Sequence, residues 1–152
     1  MDDYAIYVKS PFDTQNRLIV SASDVSSKYT RRTSEEFYKI ARYIDNIVRT
    51  RQGNYMVFFP SHSFLKQVYQ EFDFLYGDDT DIECMVQQEY MKEEERAAFL
   101  GHFLGNEELD LSAVIHMDIE MENEKTLIGF CVLGGIFGEG IDLKKDSLIG
   151  AV

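Results

Sequence analysis

The sequence predicts an α/β domain built on a parallel β-sheet that helices cover on both faces. Short runs of β-branched and aromatic residues alternate with segments of helical periodicity. The run at residues 55–59 is apolar throughout, as expected for a strand buried on both faces of a parallel sheet. Strands that alternate with helices favour right-handed crossover connections, and these produce a parallel sheet.

Length and composition indicate one domain spanning residues 1–152. The chain is 45% hydrophobic and 28% charged, which is typical of a globular protein and not of a disordered one. No apolar stretch reaches the roughly 18 residues of a membrane-spanning helix, and the acidic N-terminus has no signal-peptide pattern. We therefore expect a cytoplasmic protein with no membrane partner. Cys84 and Cys131 lack the spacing of a zinc or redox site and are predicted to be buried thiols.

The charge distribution leaves the class of partner open. The formal net charge is -12, whereas proteins that neutralise DNA phosphates usually carry a basic face. The positive residues cluster before the first buried strand: Lys28, Arg31, Arg32, Lys39, Arg42, Arg49 and Arg51. Such segregation is compatible with one surface that faces nucleic acid and equally with a solvated charged face.

The first half of the chain predicts two strands, a helix and a buried strand. Residues 4–9 and 18–23 have strand composition. Thr33 and Glu36 have the spacing of a capping box at the start of an amphipathic helix, and Gly53 is placed to end that helix. The buried strand at 55–59 follows, and Pro60 stops it.

The second half predicts two further helices and up to four strands. Ser61 or Ser63 can cap the first of these helices, and Glu93 opens the second, whose predicted inner face is Ala97, Leu100, Phe103 and Leu104. Strands are predicted at 82–86, 127–133 and 148–152, with a further one at 113–117 and an exposed acidic excursion at 118–124. Because the chain ends within an apolar strand, we expect the domain to be incomplete at its C-terminal end.

Three segments that could carry function follow predicted strands, and the functional loops of parallel sheets lie at the carboxyl ends of strands. They are Ser61 with His62, Gln87 with Gln88, and the glycine-rich loop from Gly134 to Asp142. A hydroxyl beside helix N-terminal amides is a natural phosphate site, although Ser61 could simply cap its helix. The glycine-rich loop lets the backbone approach a ligand closely, or it is a tight turn with solvated carboxylates.

Several other classes of site have no support in the sequence. The three histidines form no metal-ligand spacing, and we expect no metal site. No nucleophile elbow occurs. The chain contains neither a G-x-x-x-x-G-K-[ST] phosphate loop nor a G-x-G-x-x-G dinucleotide fingerprint.

Together these segments resemble the second, C-terminal motor domain of the XPD/DinG-like (Rad3-related) superfamily 2 DNA helicases. The matching segments, in the family's order, are residues 10–12 (SPF), 54–61 (NYMVFFPS, motif IV) and 135–143 (GIFGEGIDL, motif V). The resemblance implies a RecA-like domain of the P-loop NTPase type. Gly138 departs from the pattern, because many relatives have a serine before the glutamate of motif V.

The resemblance also implies site residues. The predicted nucleotide-binding and coupling residues are Glu139, Gly140 and Asp142, all within motif V. The predicted contacts to single-stranded DNA are Ser10, Ser61, His62, Gln87, Gly134 and Gly135. Phosphoryl transfer requires a lysine, a metal ligand and an arginine finger. None of these is expected in this chain, so the chain alone is predicted to be catalytically inactive.

The remaining implications concern the whole helicase. ATP and Mg²⁺ would bind with a first helicase domain of the same polypeptide, and whether that domain holds an iron–sulfur cluster is open. The protein is expected to act as a monomer on single-stranded DNA, in repair or replication. The alternative is a non-enzymatic α/β protein-interaction module whose glycine-rich loop is only a turn.

Overall fold

The computed structural model describes residues 15, 18–104, 125–138, 141, 143 and 147–152. Within these ranges the helices are α1 (Ser34–Val48), α2 (His62–Tyr76) and α3 (Glu93–Leu104), with a short 3-10 turn at Tyr29–Arg31 before α1. None of these helices is long and apolar enough to cross a membrane.

The described strands form one parallel sheet, so the predicted α/β class is confirmed. The strands are β1 (Asn54–Phe59), β2 (Ile82–Val86), β3 (Thr126–Val132) and β4 (Gly150–Ala151). Their spatial order is β2-β3-β1-β4, and each neighbouring pair is parallel. The carboxyl ends of all four strands therefore lie at one edge of the sheet, which we call the carboxyl edge, and the opposite edge is the amino edge.

The two central strands are the most buried part of the chain. Every residue of β3 is buried, as are four of the six residues of β1. Alternate side chains point to opposite faces of a strand, so each strand contributes to two cores. This burial on both faces explains the continuous apolar runs that predicted both strands.

The two faces of the sheet carry different cores. On one face α1 and α2 cover a large aromatic cluster in which Phe59 and Phe72 both contact Phe130. On the other face α3 covers a smaller cluster built around Phe99 and Phe103. Gly129 allows this approach, because a Cβ atom there would lie 2.7 Å from the ring of Phe103.

The start of α1 matches the prediction only in part. The Thr33 side chain accepts a hydrogen bond from the Glu36 amide at 3.3 Å, so Thr33 is the N-cap. The Glu36 carboxylate does not complete the capping box. It accepts instead from the Ser26 amide and from Arg31, 3.0 Å away, and so fixes the preceding segment against the helix.

Gly53 does not cap α1, contrary to the prediction. The helix ends at Val48, with Arg49 at its C-cap in right-handed conformation. Gly53 lies directly before β1 with φ +150°, and a Cβ atom there would lie 2.5 Å from Ile149. The glycine is thus explained by close packing at the start of the sheet.

A further strand prediction was wrong, and the predicted inner face of α3 was right only in part. Residues 18–23 form no strand: Leu18 is 88% exposed and the segment pairs with none of the described strands. Strand composition is not sufficient without a paired neighbour. In α3 the predicted Phe103 is buried and Leu100 packs partly against the same core, but the other buried residue is Phe99, and Ala97 and Leu104 are exposed. The apolar residues of α3 are spread around the helix, so periodicity alone does not select its buried face.

Other predictions are confirmed or lie outside the described residues. The strand predicted at 148–152 pairs with β1 through Gly150 and Ala151. Cys131 is buried and Cys84 half-buried, and burial raises the pKa of each thiol to about 12. The strands predicted at 4–9 and 113–117, and the excursion at 118–124, lie outside the described residues.

Candidate functional site

The carboxyl edge brings together the three segments that the sequence singled out. The register aligns Phe59 with Val132 and Val86 with Phe130, so the three strands end close to one another. The Leu133 amide donates to the Phe59 carbonyl at 2.8 Å, which continues the pairing past the end of β3. The turn after β1, the loop after β2 and residues 133–138 of the glycine-rich loop after β3 therefore lie next to one another.

The turn after β1 is organised by Ser61. Its backbone is extended, and its hydroxyl oxygen accepts a hydrogen bond from the Phe64 amide at 3.3 Å. Ser61 is therefore the N-cap of α2, as predicted, and His62 is the first residue of the helix. Both are half-buried. The first amides of a helix have no partner within it, and they carry the positive end of the helix dipole.

Arg32 lies beside this turn, and sequence reasoning had placed it only within a general basic cluster. Its guanidinium carbon is 5.1 Å from the centre of the Phe64 ring, in the first turn of α2. Its Nε donates to the Ser27 carbonyl at 3.3 Å. The segment before α1 thus places a cation next to the start of α2.

Much of the remaining basic cluster is paired with carboxylates. Arg31 contacts Glu36 at 3.0 Å and Lys39 contacts Glu35 at 2.7 Å. Arg49 bridges two aspartates across the ends of α1 and α2, and its hydrogen bonds to them raise its pKa. The cluster is therefore not a single unneutralised basic face.

The two glycines that open the loop after β3 are required for different reasons. Gly134 has φ +66°, a left-handed conformation that favours glycine, and a Cβ atom there would meet no atom within 4 Å. At Gly135 the limit is space, because a Cβ atom would lie 2.9 Å from the Val132 carbonyl oxygen and 3.0 Å from Nε2 of Gln87. Gly134 is thus open to its surroundings, whereas Gly135 is packed against the end of β2.

Gln87 is built into the base of this loop. Its side chain is 5% exposed. Its side-chain Oε1 accepts a hydrogen bond from the Val132 backbone amide at 2.9 Å. The Gln87 backbone amide donates to the Phe130 carbonyl, also at 2.9 Å. The residue therefore joins the ends of β2 and β3. Its proposed contact with DNA stays a prediction.

The second half of the described loop contacts α3, which sequence reasoning missed. Nη2 of Arg96 donates to the Ile136 carbonyl at 3.3 Å. The ring of Phe137 is 2% exposed and stacks on Phe99, with the centroids 4.4 Å apart. The apolar residues of α3 lie on several sides of the helix, so the sequence did not reveal which of them faces the loop.

Four predicted site residues lie outside the described residues. They are Ser10, Glu139, Gly140 and Asp142. In the part of the chain that the structure describes, no group of three or more histidine, cysteine, aspartate or glutamate side chains could hold a metal ion.

Comparison with protein families identifies the domain. The family model of the helicase C-terminal domain matches residues 44–152, well over half of the chain. The chain belongs to this family. The match begins within α1 and includes every described strand, so the whole carboxyl edge lies within the helicase domain. A search of curated proteins found no significant match.

Proposed function

We propose that this helicase domain is the second motor domain of an XPD/DinG-like ATP-dependent DNA helicase, and that its carboxyl edge binds single-stranded DNA. The observation that carries the proposal is that Ser61, Gln87 and residues 134–138, the described part of the glycine-rich loop, lie at one edge of a parallel sheet. Functional loops of such sheets lie at this edge. The family membership supports the helicase class.

The turn after β1 is suited to a phosphate of the DNA backbone. A phosphate there would meet the first amides of α2, beside the Ser61 hydroxyl and His62. The Ser61 oxygen accepts from Phe64, and a hydroxyl that accepts in this way can still donate its own proton. Arg32, packed on Phe64, adds a positive charge nearby.

The glycine-rich loop is proposed as the second DNA contact. Gly134 has open space where a side chain would otherwise project, so a phosphate could approach its main chain closely. Gly135 and Gln87 pack together beneath it. In this arrangement Gln87 contributes to DNA binding by holding the loop, whether or not it also touches the nucleic acid.

Nucleotide binding and coupling are proposed for Glu139, Gly140 and Asp142, on the strength of their motif V positions alone, and Ser10 is proposed as a further DNA contact. ATP, with Mg²⁺, would supply the energy for movement. The sequence contains no phosphate loop, so ATP turnover would require a first helicase domain that carries one. We expect this chain alone not to hydrolyse ATP. We also propose that the helicase acts as a monomer and serves repair or replication.

The test is ATP hydrolysis by the complete helicase polypeptide, with and without single-stranded DNA. The wild type is compared with Asp142→Ala and with Asp78→Ala, which removes an exposed carboxylate after α2 at the amino edge. We expect DNA to stimulate hydrolysis in the wild type and in Asp78→Ala. In Asp142→Ala the stimulated rate should fall by roughly a hundredfold, the scale of losing one transition-state contact.

Two results would contradict the proposal. A folded complete protein that hydrolyses no ATP would favour the protein-interaction module. Equal stimulated rates in the two variants would remove Asp142 from the nucleotide site while leaving the helicase class intact.

A further inference from the structure

Helix α3 contacts the glycine-rich loop at two points separated by one helical turn. The Arg96 guanidinium donates to the Ile136 carbonyl at 3.3 Å. Phe99 stacks on Phe137 at 4.4 Å with the rings 20° from parallel. Residues three apart lie on the same side of a helix, so one side of α3 contacts two consecutive residues of the loop.

These contacts are continuous with the hydrophobic core that α3 covers on its face of the sheet. Phe99 also stacks on Phe103, with centroids 5.7 Å apart, and a Cβ atom at Gly129 of β3 would lie within 3.3 Å of both rings. The aromatic column therefore runs from the middle of β3 to Phe137. Any displacement of the loop away from α3 would break the end of this column.

The environment of Arg96 is not what a purely structural side chain requires. Its Nη1 contacts Glu93 at 3.2 Å, but its Nε is buried and has no hydrogen-bond partner among the described residues. A buried donor without a partner is destabilising. An apolar side chain of similar length would fill the space without this penalty. The arginine is therefore explained better by its hydrogen bond to the Ile136 carbonyl than by the stability that its side chain adds.

We propose that Arg96 is a positioning residue that holds the glycine-rich loop in one conformation through the Ile136 carbonyl. In that conformation the open main chain of Gly134 is preorganised for an anionic ligand, while the Gly135 amide donates to the Val132 carbonyl at 3.1 Å and Phe137 stays on the aromatic column. The nature of the ligand, a DNA phosphate, rests on the proposed function. The contacts of α3 with the loop do not depend on it.

The first experiment measures amide hydrogen exchange of this chain, resolved to peptides that cover residues 133–138. The variants are Arg96→Met, which keeps the length but removes the donors, and Arg96→Lys, which keeps the charge without the planar fork. Lys125→Met is the matched control, because it removes one positive charge from an exposed residue before β3 at the amino edge. A thermal melt accompanies each sample.

We expect Arg96→Met to accelerate exchange in residues 133–138 roughly tenfold, the factor that a hydrogen bond of this kind contributes. Its melting temperature should be unchanged or higher, because the unpaired buried donor is gone. Arg96→Lys should be intermediate, and Lys125→Met should match the wild type. Unchanged loop exchange in Arg96→Met would overturn the proposal. So would a large fall in melting temperature with faster exchange throughout the chain, because Arg96 would then be a general structural residue.

The second experiment titrates the complete helicase with single-stranded oligothymidine. If the loop binds DNA, the dissociation constant of Arg96→Met should rise roughly tenfold over that of Lys125→Met, in step with its faster loop exchange. Faster loop exchange with unchanged DNA affinity would uphold the positioning of the loop by α3 and reject the loop as a DNA contact. Failure of the proposed function is thus distinguishable from failure of this inference.

Discussion

The turns that follow β1 and β3 lie side by side at the carboxyl edge, but they are held in different ways. The turn after β1 is fixed by Ser61, whose oxygen accepts from an amide three residues later. The loop after β3 is fixed by residues that are distant in sequence. Gln87 accepts from the Val132 amide, 45 residues away, and Arg96 donates to the Ile136 carbonyl, 40 residues away. One site is therefore local and the other depends on the tertiary structure.

This difference separates the expected effects of substitutions. Changes at Gln87, directly after β2, and in α3 should act on the glycine-rich loop and leave the turn after β1 intact. Changes at the cap of α2 should act on that turn alone, because no described contact of Ser61 involves the loop.

The largest expected effect comes from Phe99→Ala. This change removes a buried ring that contacts both Phe103 and Phe137, and loss of such a ring costs about 3–5 kcal/mol in the free energy of unfolding. Urea unfolding measures it. Phe74→Ala is the control, since Phe74 is 86% exposed on α2, and its loss should be below about 0.5 kcal/mol. Similar losses in the two variants would mean that the aromatic column does not support the fold.

Gln87→Leu is expected to cost about 2 kcal/mol, because it leaves the Val132 amide without its acceptor. The neighbouring Gln88 is exposed and bonds only to the Val86 carbonyl two residues earlier among its described contacts. Gln88→Leu should therefore change the free energy of unfolding by less than about 0.5 kcal/mol. If chemical denaturation gives equal values for the pair, Gln87 does not join the two strands as described.

The two glycines should respond differently to alanine. Gly134→Ala introduces a left-handed alanine, at a cost of about 1–2 kcal/mol. Gly135→Ala forces a Cβ atom against Gln87 and the Val132 carbonyl, and such overpacking costs about 1–3 kcal/mol. When each glycine variant is combined with Gln87→Ala, the changes in the free energy of unfolding should be non-additive for Gly135→Ala and nearly additive for Gly134→Ala. Additive effects at Gly135 would show that it does not pack against Gln87.

The smallest expected effect is that of Ser61→Ala. Loss of an N-cap oxygen costs about 1 kcal/mol in the free energy of unfolding. Ser63→Ala, which changes the exposed second residue of α2, should be nearly neutral. If Ser63→Ala lowers the free energy of unfolding more than Ser61→Ala does, Ser61 is not the cap. Hydrogen exchange of residues 133–138 should be the same in both variants.

The parts of the fold that depend on short-range patterns were predictable from the sequence. The run that became β1 is apolar throughout because both of its faces are covered, and the Ser61 cap is readable from its place between Pro60 and an apolar helix. The convergence of three segments at one edge followed from the parallel sheet alone. The helicase class came from the order of the motifs, and the family match agrees with it.

The parts that depend on distant neighbours were not predictable. The inner face of α3 is set by Gly129 of β3, which leaves room for Phe99 and Phe103. Burial of Gln87 depends on the Val132 amide, and neither residue signals this in sequence. Residues 18–23 have strand composition, but none of the described strands pairs with them. In each case the deciding partner is far along the chain or absent from the segment's described contacts.

The most direct test of the central claim is a photocross-linking map of the complete helicase with single-stranded DNA that contains bromodeoxyuridine. We expect cross-links in peptides that contain residues 60–64 and 133–138, removed by excess unlabelled DNA and weakened by added salt. Cross-links confined to the amino edge, at residues 49–54 or 77–81, would contradict the assignment of the carboxyl edge as the DNA-binding surface.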